Sequence, residues 1–251
     1  AVYINNRKIK RINQRLLKQN KEIAQKNETL QILNEELDQF VYRSSHDLKA
    51  PLTSVLGLIN IAKLEPTTPQ LILYFEKMQT SIDKLILVLQ DLSSYARNTR
   101  AENMLSVINF NEVIEACFAS NKYLPHYDKI KVTKEIKVTE YKGDELRIKI
   151  LLNSLISNAL THQDFDKNEN WIKIKVYRED DDLILEVSDN GVGIDENIEP
   201  KIFDMFYKGT NTSPGSGLGL YIVKRVLMKL EGNVYVHTVP LVGSTFRLSL
   251  P

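Results

Sequence analysis

The sequence predicts a multidomain chain: an N-terminal coiled coil, a two-helix hairpin that pairs with a second copy into a dimeric four-helix bundle, and an α/β sandwich with a mixed sheet. Three observations carry this reading. Apolar residues recur at every seventh position from Val2 to Leu37, three-four helical spacing then runs through two segments separated by "LEPTTPQ", and beyond "RNTRAEN" short strand patterns alternate with helices. The corresponding boundaries are 1–39, 40–100 and 101–251.

Val2, Ile9, Leu16, Ile23, Leu30 and Leu37 form the heptad seam. Ile12, Leu33 and Phe40 occupy companion positions, while Asn5, Gln19 and Lys26 are polar there, a pattern that specifies register between paired helices. After Leu37 the phase jumps by four residues, so Val41, Leu48, Val55 and Ala62 carry the seam onward with Leu52 and Ile59. His46 follows this stutter directly. One turn later Pro51 lacks an amide hydrogen and crowds the carbonyl of Asp47, so the helix is expected to bend there.

The prolines and threonines of "LEPTTPQ" combine helix-stop and helix-start chemistry, and a second helix follows. Leu71, Phe75, Met78, Ile82, Leu85, Leu89, Leu92 and Ala96 make its seam, so the two helices read as an antiparallel hairpin. One hairpin has too little core, two make a bundle, and the upstream coiled coil argues for a homodimer. In the last region the predicted strands are "LSVINF", "KIKVTKEI", "WIKIKVYRE", "DLILEVSD", "NVYVHTV" and "STFRLSL". Predicted helices span about 111–121, 144–162 and 218–230, giving a mixed sheet covered on one face.

Composition narrows the function classes. With 43% hydrophobic and 26% charged residues the chain reads as globular, and a net charge of +1 gives no pull toward nucleic acid. Its one cysteine, Cys117, excludes an internal disulfide and reads as a small buried apolar residue in a reducing compartment. No run approaches the ~18 apolar residues of a membrane span. The opening "AVYINNRKIKR" reads either as the cytoplasmic flank of an upstream membrane helix or as the basic start of a solvated helix.

Three stretches carry chemistry. "DNGVGID" places Asp189 at a strand end before Gly191 and Gly193, where a carboxylate on a pocket floor accepts from the exocyclic amine that distinguishes adenine from guanine. "PGSGLGLYIVK" sets Gly215, Gly217, Leu218 and Gly219 at the start of an apolar helix, whose free amides cradle phosphate oxygens. "LLNSLISNALTHQ" puts Asn158 on a polar break, where an amide oxygen suits Mg²⁺. Taken singly, each also fits a bland account: a turn, a glycine-rich loop, a core asparagine.

Together and in order, these pieces resemble the sensor histidine kinases of two-component systems. "FVYRSSHDLKAPL" resembles the phosphoacceptor box, "NSLISNALTHQ" the asparagine box, "DNGVGID" and "GSGLGLYIVK" two glycine boxes, and "KIFDMFYKGT" the phenylalanine box. The resemblance implies a dimerisation and histidine-phosphotransfer bundle joined to a Bergerat-type ATP-binding domain, with a mobile lid over roughly Asp195 to Ser216. It also implies roles: His46 as phosphoacceptor, Asp47 as its acidic helper, Asn158 as Mg²⁺ ligand and Asp189 as adenine reader. His162 would pack against the nucleotide, although an exposed helix end explains it equally well; Lys208 would meet the phosphates, and Phe203 and Phe206 would anchor the lid. Gly243 and Thr245 of "VGSTFRL" resemble residues lining the nucleotide pocket; a β-turn and strand explain them equally well.

Three positions depart from the pattern. Ala50 replaces the Thr or Asn associated with phosphatase activity toward the partner, so that activity is expected to be weak. Ser154 stands where the family often carries another asparagine, and Thr161 replaces a phosphate-directed lysine, for which Lys208 or Lys224 would have to compensate. The expected activity is ATP- and Mg²⁺-dependent autophosphorylation of His46, then transfer to an aspartate of a response regulator receiver domain. This would be the cytoplasmic portion of an inner-membrane sensor protein. Two other classes stand beside it: an ATP-binding scaffold without turnover, and an ATPase of the gyrase and MutL type. The latter needs a glutamate four residues before the asparagine, where this chain has Ser154.

Overall fold

The computed structural model describes residues 18–27, 44, 48–62, 68–100, 105–124, 126–138, 140–209 and 216–251. Two compact units divide the chain, Ala1–Lys49 and Ala50–Pro251. In the first, residues 18–27 are helical, Glu22 and Lys26 form an ion pair of 2.9 Å one turn apart, and Ile23 on the predicted seam is 55% exposed. The remainder of the coiled coil, its stutter, His46 and Asp47 lie outside the described residues.

Residues 48–62 are helical, Pro51 included, and helix α1 follows at Thr68–Arg100. The two helices meet in a hairpin where Ser81 Oγ donates to Ser54 Oγ at 3.3 Å. Here the structure refines the predicted seam. Pro51, Val55, Leu58 and Ala62 on one helix, and Leu71, Tyr74, Met78, Leu85 and Val88 on the other, are the covered positions. Phe75, Ile82 and Leu89, assigned from spacing to the same stripe, are 61%, 40% and 53% exposed, and Leu52, Leu56 and Ile59 also face outward. The apolar arc of each helix is wider than one neighbour covers, so a second apolar face remains.

Beyond the hairpin come β1 (Leu105–Ile108), α2 (Phe110–Ser120), β2 (Ile130–Ile136), β3 (Tyr141–Asp144), α3 (Glu145–Thr161), β4 (Asn170–Glu179) and β5 (Asp182–Asp189). Helix α4 (Gly219–Lys229), β6 (Asn233–Val239) and β7 (Gly243–Leu250) complete the chain. The main sheet has the order β2-β4-β5-β7-β6, with β2 and β4 parallel and the other neighbours antiparallel. Predicted helices and strands fall within about a residue or two of the observed ones. Among the described strands and α-helices, β3 alone was not anticipated: "YKGD" is short and polar, and it becomes a strand by pairing antiparallel with β1 in a separate two-stranded sheet.

Alternation makes the core. In β4, Asn170, Ile172, Ile174 and Val176 point inward, and Leu185, Val187, Phe246 and Leu248 join them beneath Leu151, Leu155 and Ile156 of α3 and Ile222 and Val226 of α4. The opposite face of the sheet carries cross-strand ion pairs, Lys173 with Glu135 and Lys175 with Glu186. Such exposed pairs contribute at most about 1 kcal/mol each, so the buried face, not this one, holds the sheet.

Caps set the helix starts that matter for the site. Asn109 accepts from the amides of Asn111 and Glu112 at 3.1 and 3.4 Å, starting α2. Asp144 accepts from the Arg147 amide at 3.0 Å, starting α3, and is ion-paired with the buried Arg147 guanidinium. Arg147 Nε also donates to Asn98 Oδ1 at 3.3 Å, so the α3 cap is tied to the end of α1. Removing one member of such a buried pair leaves an uncompensated charge and costs about 3–5 kcal/mol.

Candidate functional site

Helix α3 is amphipathic in an unusual sense: one face is fully apolar, and the other is small and polar. Leu151, Leu152, Leu155, Ile156, Ala159 and Leu160 are buried, whereas Asn153, Ser154, Ser157, Asn158 and Thr161 are half-buried along one stripe. That stripe forms the wall of a cavity of about 250 Å³, whose floor is the C-terminal end of β5 and the neighbouring part of β7. Asp189, Gly193, Ser244 and Phe246 line the floor, and His162 lines the cavity from the end of α3. Lys208, Gly217 and Gly219 line it from the lid side.

Asp189 is one of two largely covered acids that line the cavity, Asp91 being the other. Burial pushes the Asp189 carboxyl up to about 6, against the pull of hydrogen bonds from the Gly191 and Ser244 backbone and of the Lys167 charge. The Gly191 amide donates to Asp189 Oδ1 at 2.8 Å. Burial also lowers the pKa of His162, so its imidazole presents a neutral ring to the cavity. Gly193 is a glycine by necessity: its φ is +68°, and a Cβ there would sit 2.1 Å from the Val239 carbonyl oxygen.

On the lid side, Phe206 is buried with φ at +61°, an uncommon backbone for a bulky residue. Gly217 lies against it: its φ is +75°, and a Cβ would come within 2.7 Å of the Phe206 carbonyl carbon. The backbones of Phe206 and Gly217 are therefore in direct contact. Leu218, expected at the nucleotide, is instead fully buried as the N-cap of α4; its amide donates to Ser216 Oγ at 3.0 Å.

Of the residues expected at a nucleotide, the structure brings Asn158, His162, Asp189, Gly193, Lys208, Gly217 and Gly219 to one cavity. Gly191 and Leu218 shape its backbone without lining it, and Gly215 lies outside the described residues. Thr245 is placed on the opposite face of the sheet, where its Oγ1 donates to Ser188 Oγ at 2.9 Å. The strand period of two gives the cavity to Ser244 and Phe246 in its stead. Sequence reasoning also missed Ser157 and Asn153, although the i, i+4 polar pairs Asn153 with Ser157 and Ser154 with Asn158 were there to find them. Thr161 lines the cavity as well, and among the described lining residues Lys208 is the one lysine or arginine. Lys224 is exposed and does not line it.

Helix α1 reaches the same place. Gln90 and Asp91 line the cavity, and Asp91 Oδ2 accepts from Ser216 Oγ. Tyr95 and Tyr221 stack with ring centroids 6.3 Å apart, and Tyr123 donates to Gln90 Oε1 at 3.0 Å. Burial raises the Asp91 carboxyl to about 6.

Comparison with known proteins agrees with this architecture. Residues 143–251 match the histidine kinase-, DNA gyrase B-, and HSP90-like ATPase family, and residues 36–101 match the His Kinase A (phospho-acceptor) domain. The fold and its cavity thus define an ATP-binding domain of that ATPase class, carried behind a phospho-acceptor helical hairpin. Residues 36–101 and 143–251 belong to those two families, a phospho-acceptor domain followed by an ATPase domain of the histidine kinase type. The chain is 29% identical over 223 residues to the autoinducer 2 sensor kinase/phosphatase LuxQ of Vibrio vulnificus, covering 84% of this chain and 26% of that protein. The chain therefore spans about a quarter of that relative's length. The fold is shared with histidine kinase ThkA, solved in complex with the response regulator protein TrrA, at TM-score 0.65 and 20% identity over 87% of this chain and 63% of ThkA. It is also shared with full-length ShkA, solved in complex with AMPPNP, at TM-score 0.58 and 22% identity over 85% of this chain and 45% of ShkA.

Proposed function

We propose that this chain is the catalytic core of a sensor protein-histidine kinase, which uses ATP with Mg²⁺ to phosphorylate His46 and then passes the phosphoryl group to an aspartate of a response regulator receiver domain. The observation that carries the reading is the cavity itself. A buried carboxylate, Asp189, lies on its floor, and a small polar helix face with Asn158 forms its wall. ShkA with AMPPNP and ThkA with TrrA are precedents on this fold for a nucleotide and a regulator.

In this reading ionised Asp189 accepts from the exocyclic amine of adenine, and His162 offers a neutral ring beside the base. Asn158 would hold Mg²⁺ through its amide oxygen, consistent with a wall of neutral oxygen donors. The ion would neutralise phosphate charge. Lys208 adds positive charge from the lid. Asp47 would accept a hydrogen bond from the N–H of the His46 ring, leaving the other nitrogen's lone pair for in-line attack. A nitrogen–phosphorus bond forms, the γ-phosphorus–oxygen bond breaks, and ADP leaves with the electron pair while the ring proton passes to Asp47 or water. Ser154 lines the wall where a hydrolytic relative would need a glutamate, which favours transfer to histidine over transfer to water.

The same reading divides the chain into a signalling coiled coil at 1–39, a dimerisation and phosphotransfer region at 40–100 and a catalytic region at 101–251. It assigns the chain to the cytoplasmic side of an inner-membrane sensor, with a membrane helix and sensor upstream and a second copy as dimer partner. No helix among the described residues is long and apolar enough to cross a membrane. Incubation of wild type and His46→Gln with γ-labelled ATP and Mg²⁺ tests the core claim. Acid-labile, base-stable label should appear on wild type alone; unlabelled wild type that still binds ATP would leave only a scaffold.

A further inference from the structure

The loop between α3 and β4 carries a lysine that none of the motifs uses. Lys167 Nζ donates to three backbone carbonyls, Asn190 at 2.5 Å, Gly191 at 2.7 Å and Val242 at 3.2 Å. Three acceptors match the three donors of an ammonium. Two of them belong to the turn directly after Asp189, and the third belongs to the turn joining β6 to β7.

The same two turns are joined elsewhere. The Leu241 amide donates to the Val192 carbonyl at 2.7 Å, and the Ile194 amide donates to Thr238 Oγ1 at 2.8 Å. Asn190 anchors the turn to β4, accepting from the Trp171 amide and donating to the Glu169 carbonyl, both at 2.7 Å. These contacts are neutral. Lys167 brings a full positive charge to the turn, at the point where the Asp189 carboxylate must be held both still and ionised.

We infer that Lys167 is a positioning residue for base recognition: its ammonium fixes the turn that carries Asp189 and supplies positive charge beside that carboxylate. The inference rests on the nucleotide reading above and extends it to a residue outside the cavity lining. Burial drives the Asp189 carboxyl toward its protonated form, and the Lys167 charge acts in the opposite sense. Other titratable groups around the cavity are His162 at the end of α3, Lys208 of the lid and Asp91 of α1; from β7 the Ser244 backbone bonds the carboxylate. A protonated Asp189 keeps one oxygen as a donor and no longer offers two acceptors to an amine.

The test is ATP binding by calorimetry across a pH series for wild type, Lys167→Met, Lys167→Gln, Lys167→Arg and Asp189→Asn, with thermal melts to verify folding. Lys167→Met should weaken ATP about tenfold near pH 6 and only about two- to threefold near pH 8, because the missing charge matters where Asp189 titrates. Lys167→Gln retains two uncharged N–H donors in place of three charged ones and should show chiefly the low-pH loss, while Lys167→Arg should restore most of the affinity. A loss equal at every pH, or none, overturns the inference even if Asp189→Asn abolishes binding. Wild type that fails to bind ATP, or that binds no better than Asp189→Asn, overturns the nucleotide reading and this inference with it.

Discussion

At the scale of single residues, the cavity is decided by which side chains α3 turns toward it. Thr161 lines the wall one helical turn beyond Ser157 and Asn158, in the position where a lysine is expected to meet phosphate. A hydroxyl donates one hydrogen bond and carries no charge. Restoring the cation by Thr161→Lys should tighten ATP binding by about 5- to 150-fold, equivalent to roughly 1–3 kcal/mol of charge-assisted bonding. Calorimetric titration of both proteins measures it, and unchanged affinity would place the phosphates away from that turn. Residue identities around Asp189, Asn158 and Gly193 were legible in the sequence because each is a backbone or chemical requirement written in one or two letters. Thr245 was not, since neighbouring hydroxyl residues in "GSTF" face opposite sides of β7 and only the register with β5 assigns Ser244 to the cavity.

At the scale of elements, the informative contact is α1 against the lid anchor and α4. Asp91 is bonded to Ser216, and Ser216 in turn accepts from the Leu218 amide that opens α4. With its carboxyl raised to about 6 by burial, Asp91 binds its proton more tightly in the docked arrangement than when exposed. The sign follows: docking gains as pH falls from about 6 toward the ordinary value of 3.8, and weakens as pH rises through 6. Spin labels on exposed Gln79 and Lys224 should therefore report a broader distance distribution above that pH. Asp91→Asn should remove the dependence; a pH response that survives this substitution assigns it to other groups. The hairpin, the sheet and α2 to α4 were readable from period 3.6 and period 2, whereas this contact joins residues 125 positions apart in sequence and has no local signature.

At the scale of the whole molecule, the hairpin presents Phe75, Ile82 and Leu89 to the outside in a heptad row, with Leu52, Leu56 and Ile59 exposed on the neighbouring helix. An apolar heptad row of this kind suits a helix–helix interface, and the homodimer proposed above would use it. In a symmetric interface each substitution counts twice, so Ile82→Lys, at a side chain 40% exposed in the single chain, should cost about 1–2.5 kcal/mol of dimer stability from lost apolar burial, and the buried ammonium adds to that. Sedimentation at micromolar concentration should then find monomer where wild type is dimeric. A dimer unaffected by Ile82→Lys would mean that another surface joins the copies.

By itself, the sequence determined the class of each element, the order of the motifs and the chemistry available at each, because periodicity, glycine and titratable side chains act over a few residues. Tertiary structure alone decided which face of β7 lines the cavity, that part of the hairpin's apolar surface is left uncovered, and that Lys167 and Asp91 serve a site built from other segments. Those outcomes depend on register and on distances between parts far apart in the chain, and a local pattern encodes neither.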